Sequence, residues 1–285
     1  MLPSPTELTY FLEIAEALNL SRAAERIGVS QPALTLAVRR LEDAFGHKVL
    51  IRGKTGVRLT KAGEKLAYQS RILMGEWEKI KGDSTREEHE VSGRYTLGCH
   101  PSVAMYTLPY FMPQLFKEFP KLNINLAHAS SRKINEDIIS FRIDFGIVVN
   151  PVPHPELIIK NLYEDAVTLW VAPKALKNVL ICEPDLPQTT NILQQLAKGK
   201  TSFERVIHSS SLEVITGLVS KGIGVGILPT RVATRLKEYN LKLFDPSIFF
   251  ADKICLVYRP DVQKSGASKM LAKRIFELLL FDHRK

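Results

Sequence analysis

The punctuation between residues 4 and 45 constrains the fold more than any other stretch of this chain. Ser4-Pro5-Thr6-Glu7 is a helix start: Ser4 can cap, Pro5 suits the first helical position and Glu7 completes a capping box. Leu8, Phe11, Leu12, Ala15 and Leu18 then recur at helical spacing and predict one buried stripe. Ser21 predicts the cap of a short helix, Arg22 to Ile27, which Gly28 stops. Ser30 predicts the cap of a third helix, with Pro32 tolerated in its first turn. Helix, short glycine-containing turn and helix is a helix-turn-helix. Any small helical bundle has such corners, so the third helix must decide what this one is for.

In that helix Leu34, Val38, Leu41 and Phe45 share a face spaced for a core. The opposite face carries Pro32, Leu36 and Arg39, with Gln31 and Thr35 on its edge. Gln31, Thr35 and Arg39 are types that reach base edges or phosphates in a major groove. Leu36 would suit thymine methyls there, or is a singly exposed leucine that needs no explanation. Val49–Arg52 and Val57–Leu59, joined by Gly53-Lys54-Thr55-Gly56, predict a β-hairpin with a basic tip. Beside a helix-turn-helix such a hairpin is a wing, and Arg52 and Lys54 become candidates for a minor groove or for phosphates. The charge distribution agrees. Residues 1–90 hold 14 basic and 13 acidic residues, but within 20–65 the count is 10 against 4.

Thr60 predicts the cap of a long helix, Lys61 to Lys81. Along it Leu66, Ser70, Leu73, Trp77 and Ile80 alternate by four and three, a period of 3.5. The stripe could pack on its own N-terminal domain. Trp77 and Ile80 lie far along the helix from that domain, which favours pairing with a second copy.

Ala23-Ala24-Glu25-Arg26, Val29-Ser30-Gln31-Pro32-Ala33-Leu34, Arg40-Leu41-Glu42 and Leu59-Thr60-Lys61-Ala62-Gly63 resemble the N-terminal signature of the LysR-type transcriptional regulators. The resemblance runs from about residue 6 to 82 without a gap. It implies a winged helix-turn-helix, a dimerising linker helix and a C-terminal effector domain. Thr35 stands where the family usually has serine. Leu36 stands where a polar or basic residue is common, which bears on the DNA sequence preferred.

Gly82 to Ser92 is charged and poor in apolar residues and reads as a linker. Beyond it, Tyr95–Cys99, a helical stretch to Phe119, Ile124–Ala127, a helix to about Phe141 and Phe145–Val149 form a βαβαβ unit, which predicts parallel sheet. Pro109 and Pro113 predict a kink or restart in its first helix. A second unit follows: Ala166–Ala172, Val179–Cys182, a helix near Ile192–Ala197, a strand near Val206, a helix Leu212–Ser220 and Val225–Leu228. Ile254–Val257 and a basic helix, about Ser268–Phe281, close the chain. Two α/β lobes joined by two crossing segments resemble periplasmic binding proteins. The expected fold is thus α+β and multidomain: a winged helix-turn-helix at 1–59, a linker and dimerisation helix at 60–91, and a two-lobed α/β domain at 92–285. Lobe I spans about 92–164 and 255–285, and lobe II about 165–254. A length of 285 residues suits two or three domains.

Gly222-Ile223-Gly224-Val225-Gly226 invites a nucleotide-binding reading, which fails. The spacing lacks the second intervening residue, and the run leads from helix to strand, the reverse of the dinucleotide order. A close-packed turn is the better reading. Ligands of open α/β sheets sit beyond the carboxyl ends of strands. Those ends carry His100 and Ser102, Ser130 and Ser131, Asn150, and Ser209 and Ser210, where free helix N–H groups suit a carboxylate or phosphate. Each serine taken singly reads as a helix cap. Their convergence is the argument for an effector site, and the 25 basic against 17 acidic residues of 91–285 favour an anionic effector.

The histidines are scattered without ligand spacing, although His100 and His208 could face each other, and no metal or cofactor is expected. No nucleophile–base set stands in a motif, so the chain does not read as an enzyme. Three cysteines without paired spacing suit a reducing compartment, and the absence of a signal-like or membrane-spanning run predicts a cytoplasmic protein. A redox pair is a minor alternative. Three functions compete: a DNA-binding regulator controlled by a small molecule, an α/β binding or catalytic protein with a helical oligomerisation arm, and a nonspecific architectural DNA binder. The first has the groove-facing residues, the wing and a use for the two lobes. It implies a partly palindromic double-stranded operator, a homodimer or homotetramer, and RNA polymerase as a partner if the protein activates.

Overall fold

The computed structural model describes residues 3–53, 56–83, 91–199 and 201–282. The chain forms two compact units. The first contains α1 (Pro5–Ala17), α2 (Leu20–Ile27), α3 (Gln31–Phe45), the hairpin β1 (Leu50–Gly53) and β2 (Gly56–Leu59), and α4 (Lys61–Asp83). The capping box forms: the Glu7 N–H donates to Ser4 Oγ at 3.2 Å, and the Ser4 N–H to Glu7 Oε2 at 2.9 Å. The second helix starts two residues earlier than its sequence suggests. Leu18 adopts a left-handed conformation with φ 49°, so Asn19 meets the helix in extended backbone and its Oδ1 accepts the Arg22 N–H at 3.0 Å. Ser21 is therefore inside the helix, and its hydroxyl donates to Gln31 Oε1. Gly28, at φ 76°, ends α2 as expected.

Phe11, Ile14, Ala23, Leu34 and Leu41 are fully enclosed, and Val49, Val57 and Ala67 close the same core from the wing and α4. The wing is fastened at three points. Glu42, on the last turns of α3, accepts the Val49 N–H at 2.9 Å and the Leu50 N–H at 3.4 Å and pairs with Lys48 at 2.7 Å. Partial burial raises the Glu42 carboxyl, but those donors outweigh it and hold the group below its ordinary range. The Val57 N–H donates to the Leu18 carbonyl at 3.0 Å. Thr60 caps α4 by accepting the Gly63 N–H at 2.9 Å, while its own hydroxyl donates to the Lys48 carbonyl.

The second unit is built on one eight-stranded mixed sheet in the order β4-β3-β5-β10-β6-β9-β7-β8. Its elements are β3 (Gly93–Cys99), α5 (Pro101–Glu118), β4 (Leu122–His128), α6 (Ser131–Ile139), β5 (Phe145–Val149), β6 (Ile158–Val171), β7 (Val179–Cys182), α7 (Pro187–Lys198), β8 (Arg205–His208), α8 (Leu212–Ser220), β9 (Val225–Pro229), α9 (Thr230–Thr234), β10 (Lys242–Tyr258) and α10 (Gly266–Asp282). The βαβ crossovers are parallel, as expected: β3 with β4 and β5, and β7 with β8 and β9. The sheet is nevertheless not all parallel. β6 and β10 run antiparallel along their whole length, from Lys242↔Val171 to Tyr258↔Ile158. One end of this ribbon binds β5 and the other binds β9, so it passes through both lobes.

Two local expectations change. Only the Ala166 half of β6 and the Ile254 half of β10 carry an obvious strand pattern, and the remainder is longer than the sequence suggests. α5 is a single helix through Pro109 and Pro113. Both prolines are exposed, as is Met105, so a carbonyl freed by Pro109 meets water. The glycine run is packing, as its spacing argues. Gly222 takes φ +78°, a side chain on Gly224 would lie 2.6 Å from the Val179 carbonyl, and one on Gly226 would lie 2.5 Å from a Val219 methyl.

Candidate DNA interface and ligand cleft

On α3 the apolar face is buried as the pattern requires, and the opposite face is open. Gln31, Pro32 and Arg39 are exposed, Thr35 is half-buried and Leu36 is 49% exposed. The donation from Ser21 fixes the amide of Gln31, which leaves its Nε2 donors turned from that contact. On β1, Ile51 and Arg52 are both exposed, with Arg52 opposite Val57 in the hairpin register. Lys54 lies outside the described residues. The surface combines a helix with its first turn free, a guanidinium further along the same face and a second guanidinium on the wing. That combination suits groove insertion flanked by phosphate contacts.

Along α4 the stripe divides. Leu66 packs against the core of its own unit and Ser70 is buried, so neither is open to a second copy. Leu73 and Trp77 are 58% and 49% exposed. The Ile80 side chain lies outside what is described.

In the second unit the strand-end residues do not behave alike. Ser130 Oγ caps by accepting the Lys133 N–H, and Ser131 Oγ accepts the Val149 N–H, stitching the start of α6 to the end of β5. Ser209 closes a turn with Ser211, and Ser210 is exposed. These are the local roles a single serine usually has. Ser102 differs. It is 2% exposed, its hydroxyl has no hydrogen-bond partner among the described residues, and it lines a cavity of about 50 Å³ together with Glu213, Thr216, Arg235 and Tyr239. The cavity lies between α5 of lobe I and α8 and α9 of lobe II. His100, the α5 cap, accepts the Ser102 N–H through Nδ1 at 3.3 Å. Burial holds the imidazole below its ordinary pKa, with a small upward pull from Glu213 and a downward push from His128. The charges that act on His100 are thus Glu213 and His128, and not His208.

On the ribbon, Asp252 of β10 accepts from Asn150 Nδ2 at 2.6 Å and from Gln188 Nε2 at 2.9 and 3.0 Å. Asn150 ends β5 of lobe I, and Gln188 starts α7 of lobe II. A buried carboxylate on the shared ribbon therefore ties the two lobes. Burial pushes this carboxyl up to about 6 despite both donors. Glu183, just beyond β7, is also pushed up to about 6, by burial first and then by Asp185 and Glu213. Sequence reasoning missed Glu183, Gln188, Glu213 and Asp252. Glu183 stands one residue past a strand end and carried the same positional signal as the serines.

Cys99, Cys182 and Cys255 are each buried and belong to three separate packing clusters. Burial pushes the Cys99 thiol to about 12 and the Cys255 thiol to about 11, and raises Cys182. Among the described residues no group of three or more His, Cys, Asp or Glu is placed to hold a metal ion, and no helix is long and apolar enough to cross a membrane.

A winged helix-turn-helix followed by a two-lobed domain with a polar interlobe cavity defines a class: DNA-binding transcriptional regulators with an effector-binding domain. Residues 5–64 match the bacterial regulatory helix-turn-helix proteins of the lysR family, and residues 88–277 match the LysR substrate binding domain. The chain belongs to the LysR family. It is 33% identical to a hydrogen peroxide-inducible genes activator of Haemophilus influenzae, over 89% of this chain and 90% of that one. The same comparison with a Pectobacterium carotovorum protein of that description gives 27% identity over 95% of each. Among solved structures, a full-length OxyR point variant from Pseudomonas aeruginosa superposes with a TM-score of 0.67 at 20% identity, over 98% of this chain and 95% of that one. Full-length LysG of Corynebacterium glutamicum with bound effector Arg gives 0.63 at 16% identity, over 97% and 98%. These two likenesses speak to the fold.

Proposed function

We propose that the chain reads double-stranded DNA with α3, through Gln31, Pro32, Thr35, Leu36 and Arg39, while Arg52 and Lys54 of the wing hold the backbone. The observation that carries this reading is the helix face left open on α3 beside an exposed Arg52, on a helix whose opposite face, Leu34, Val38 and Leu41, is buried in the core. Replacing Arg52 by alanine is expected to weaken specific and random DNA alike and to lower the salt slope by about one. Arg39→Ala should cost about 1–3 kcal/mol on the operator if it reads a base. Neither change should move the unfolding midpoint. Salt-titrated binding, with the melting curve beside it, is the measurement. An unchanged slope for Arg52→Ala would refute the wing contact.

Residues 1–59 then serve as the DNA reader, 60–91 as the linker and dimerisation segment, and 92–285 as the effector domain. Self-association rests on Leu73 and Trp77, with Ile80 continuing the seam. Leu73→Asp or Trp77→Asp should give monomers in light scattering, and an undiminished mass would show that the seam lies elsewhere. A dimer places two recognition helices on half-sites about one helical turn apart or a multiple of it, hence a partly palindromic operator. Both the dimer and a tetramer fit this plan, and an activating form would also meet RNA polymerase.

The effector enters the cavity at Ser102, with His100 at its edge. Ser130, Ser131 and Ser209 shape the strand ends around it through the hydrogen bonds of their hydroxyls, and Ser210 lies exposed beside them. Only a ligand with different affinity for two lobe arrangements can shift them, and α4 would carry that shift to the DNA readers. The thiols argue for a non-covalent effector. Peroxide is attacked by a thiolate, and three buried thiols held above their ordinary pKa supply little of it. We read the chain as a cytoplasmic regulator and not as an enzyme, in line with relatives that are regulators.

A further inference from the structure

We propose that the effector of the Ser102 cavity is a small zwitterion of the amino-acid class, its ammonium held by Glu213 and its carboxylate by Arg235. This rests on the reading of that cavity as the effector site. The warrant is a pair of opposite charges that line one space without meeting. Glu213 on α8 and Arg235 just past α9 both face the cavity, and among the described residues no ion pair joins them. Among those residues Glu213 accepts only the Ser211 hydroxyl, at 3.0 Å, so most of its lone pairs are open. The Ser102 hydroxyl lines the same space, 2% exposed and unpartnered among the described residues. A buried hydroxyl without a partner is costly, and a ligand that hydrogen-bonds to it removes that cost.

Size and sign agree. The cavity of about 50 Å³ has room for roughly four water-sized groups, enough for an ammonium, a carboxylate and the carbon between them. The rest of the ligand would extend past Arg235 and Met105, which are exposed. Glu183 and Asp185 add negative charge near Glu213, and Glu183 Oε2 is itself buried without a partner among the described residues. Burial disfavours the charged form of His100, so it adds little to offset this charge. The ammonium end is therefore the better held. A simple anion, the ligand that the basic excess of 91–285 suggests, would face Glu213, with Glu183 and Asp185 adding charge behind it, and would have one arginine. Long-range charge is a weak guide to a pocket, and the groups lining it decide.

Isothermal titration of the full-length protein with the twenty standard amino acids tests the class. Propionate and propylamine serve as half-ligands. At least one amino acid should bind, with propionate and propylamine weaker by about tenfold or more, the loss expected of a charge-assisted pair. Glu213→Gln and Arg235→Met, each verified as folded by its melting curve, should weaken that amino acid by a similar factor. Propionate or propylamine binding as tightly as any amino acid would overturn the proposal, as would twenty amino acids without heat or full affinity in both variants. Ser102→Leu, backed by Ser102→Ala, separates the two layers. If propionate or propylamine binds and Ser102→Leu abolishes it, the cavity stands and the zwitterion falls. If tight binding survives Ser102→Leu, the cavity itself is not the site.

Discussion

Gly63→Ala is expected to unfold the N-terminal unit and abolish DNA binding. A methyl group there would lie 2.1 Å from the Val49 carbonyl oxygen and 3.0 Å from its carbon. Both are backbone atoms of a segment pinned by Glu42 and Thr60, so nothing nearby can swing aside. Overpacking usually costs about 1–3 kcal/mol, and a clash this short with fixed backbone belongs at or beyond the upper end. The transition of the N-terminal unit in a thermal melt of the full-length protein should fall or vanish. A contrast comes from Gly75 on α4, where an added methyl meets nothing within 4 Å. Gly75→Ala should preserve or slightly raise stability. Equal behaviour of the two variants would contradict this account of the wing–helix contact.

Asp252→Ala should produce the second large loss, in the other unit. It leaves the Asn150 and Gln188 amides without their acceptor, and Gln188 is 8% exposed. Asn150 is exposed and its amide can turn to water, but the orphaned Gln188 donor is buried and costs about 1–3 kcal/mol, so the effector domain should lose several degrees of melting temperature. Asp252→Asn retains an acceptor oxygen and should cost much less. The pH dependence follows from the same group. Asp252 and Glu183 have folded values of about 6 against ordinary values of 3.8 and 4.5. The folded state then binds more protons than the unfolded state between those limits. Their contribution is fully present below the ordinary values and is lost as pH rises through about 6. Asp252→Ala should flatten that part of the stability profile. An unchanged slope would show that the titration belongs to other groups.

The N-terminal unit was legible because its signals are local. Caps, glycine stops and the apolar face of α3 act within a few residues, and all but the α1–α2 junction fell where the residues put them: Leu18, expected in the buried stripe, caps α1 and is 49% exposed, and α2 starts early, at Leu20. The exception is instructive: Asn19 and Ser21 are both good caps, and the left-handed Leu18 chose between them. The effector domain was legible as alternating elements but not as a sheet. Half of β6 and half of β10 owe their strand form to each other. The Ile158–Glu164 segment and the bulged segment around Asp245 have no clean alternation and are held by partners about eighty to a hundred residues away. The site divides the same way. Serines at strand ends were visible, but whether a hydroxyl caps its own helix, as in Ser130, or faces an empty space, as in Ser102, depends on what lies across the cleft. Glu213 and Arg235 become partners of one cavity only once α8 and α9 are folded beside α5.

The ribbon of β6 and β10 also orders events on the ribosome. Lobe I needs β10 and α10, which are made long after the helix-turn-helix, the wing and the first turns of α4 that close their core. Non-local pairing of this kind is slow to form, and domains generally fold as they emerge. The DNA-reading surface therefore exists on a nascent chain before the pocket that governs it, and a chain cut short before Lys242 would keep the reader and lose its control.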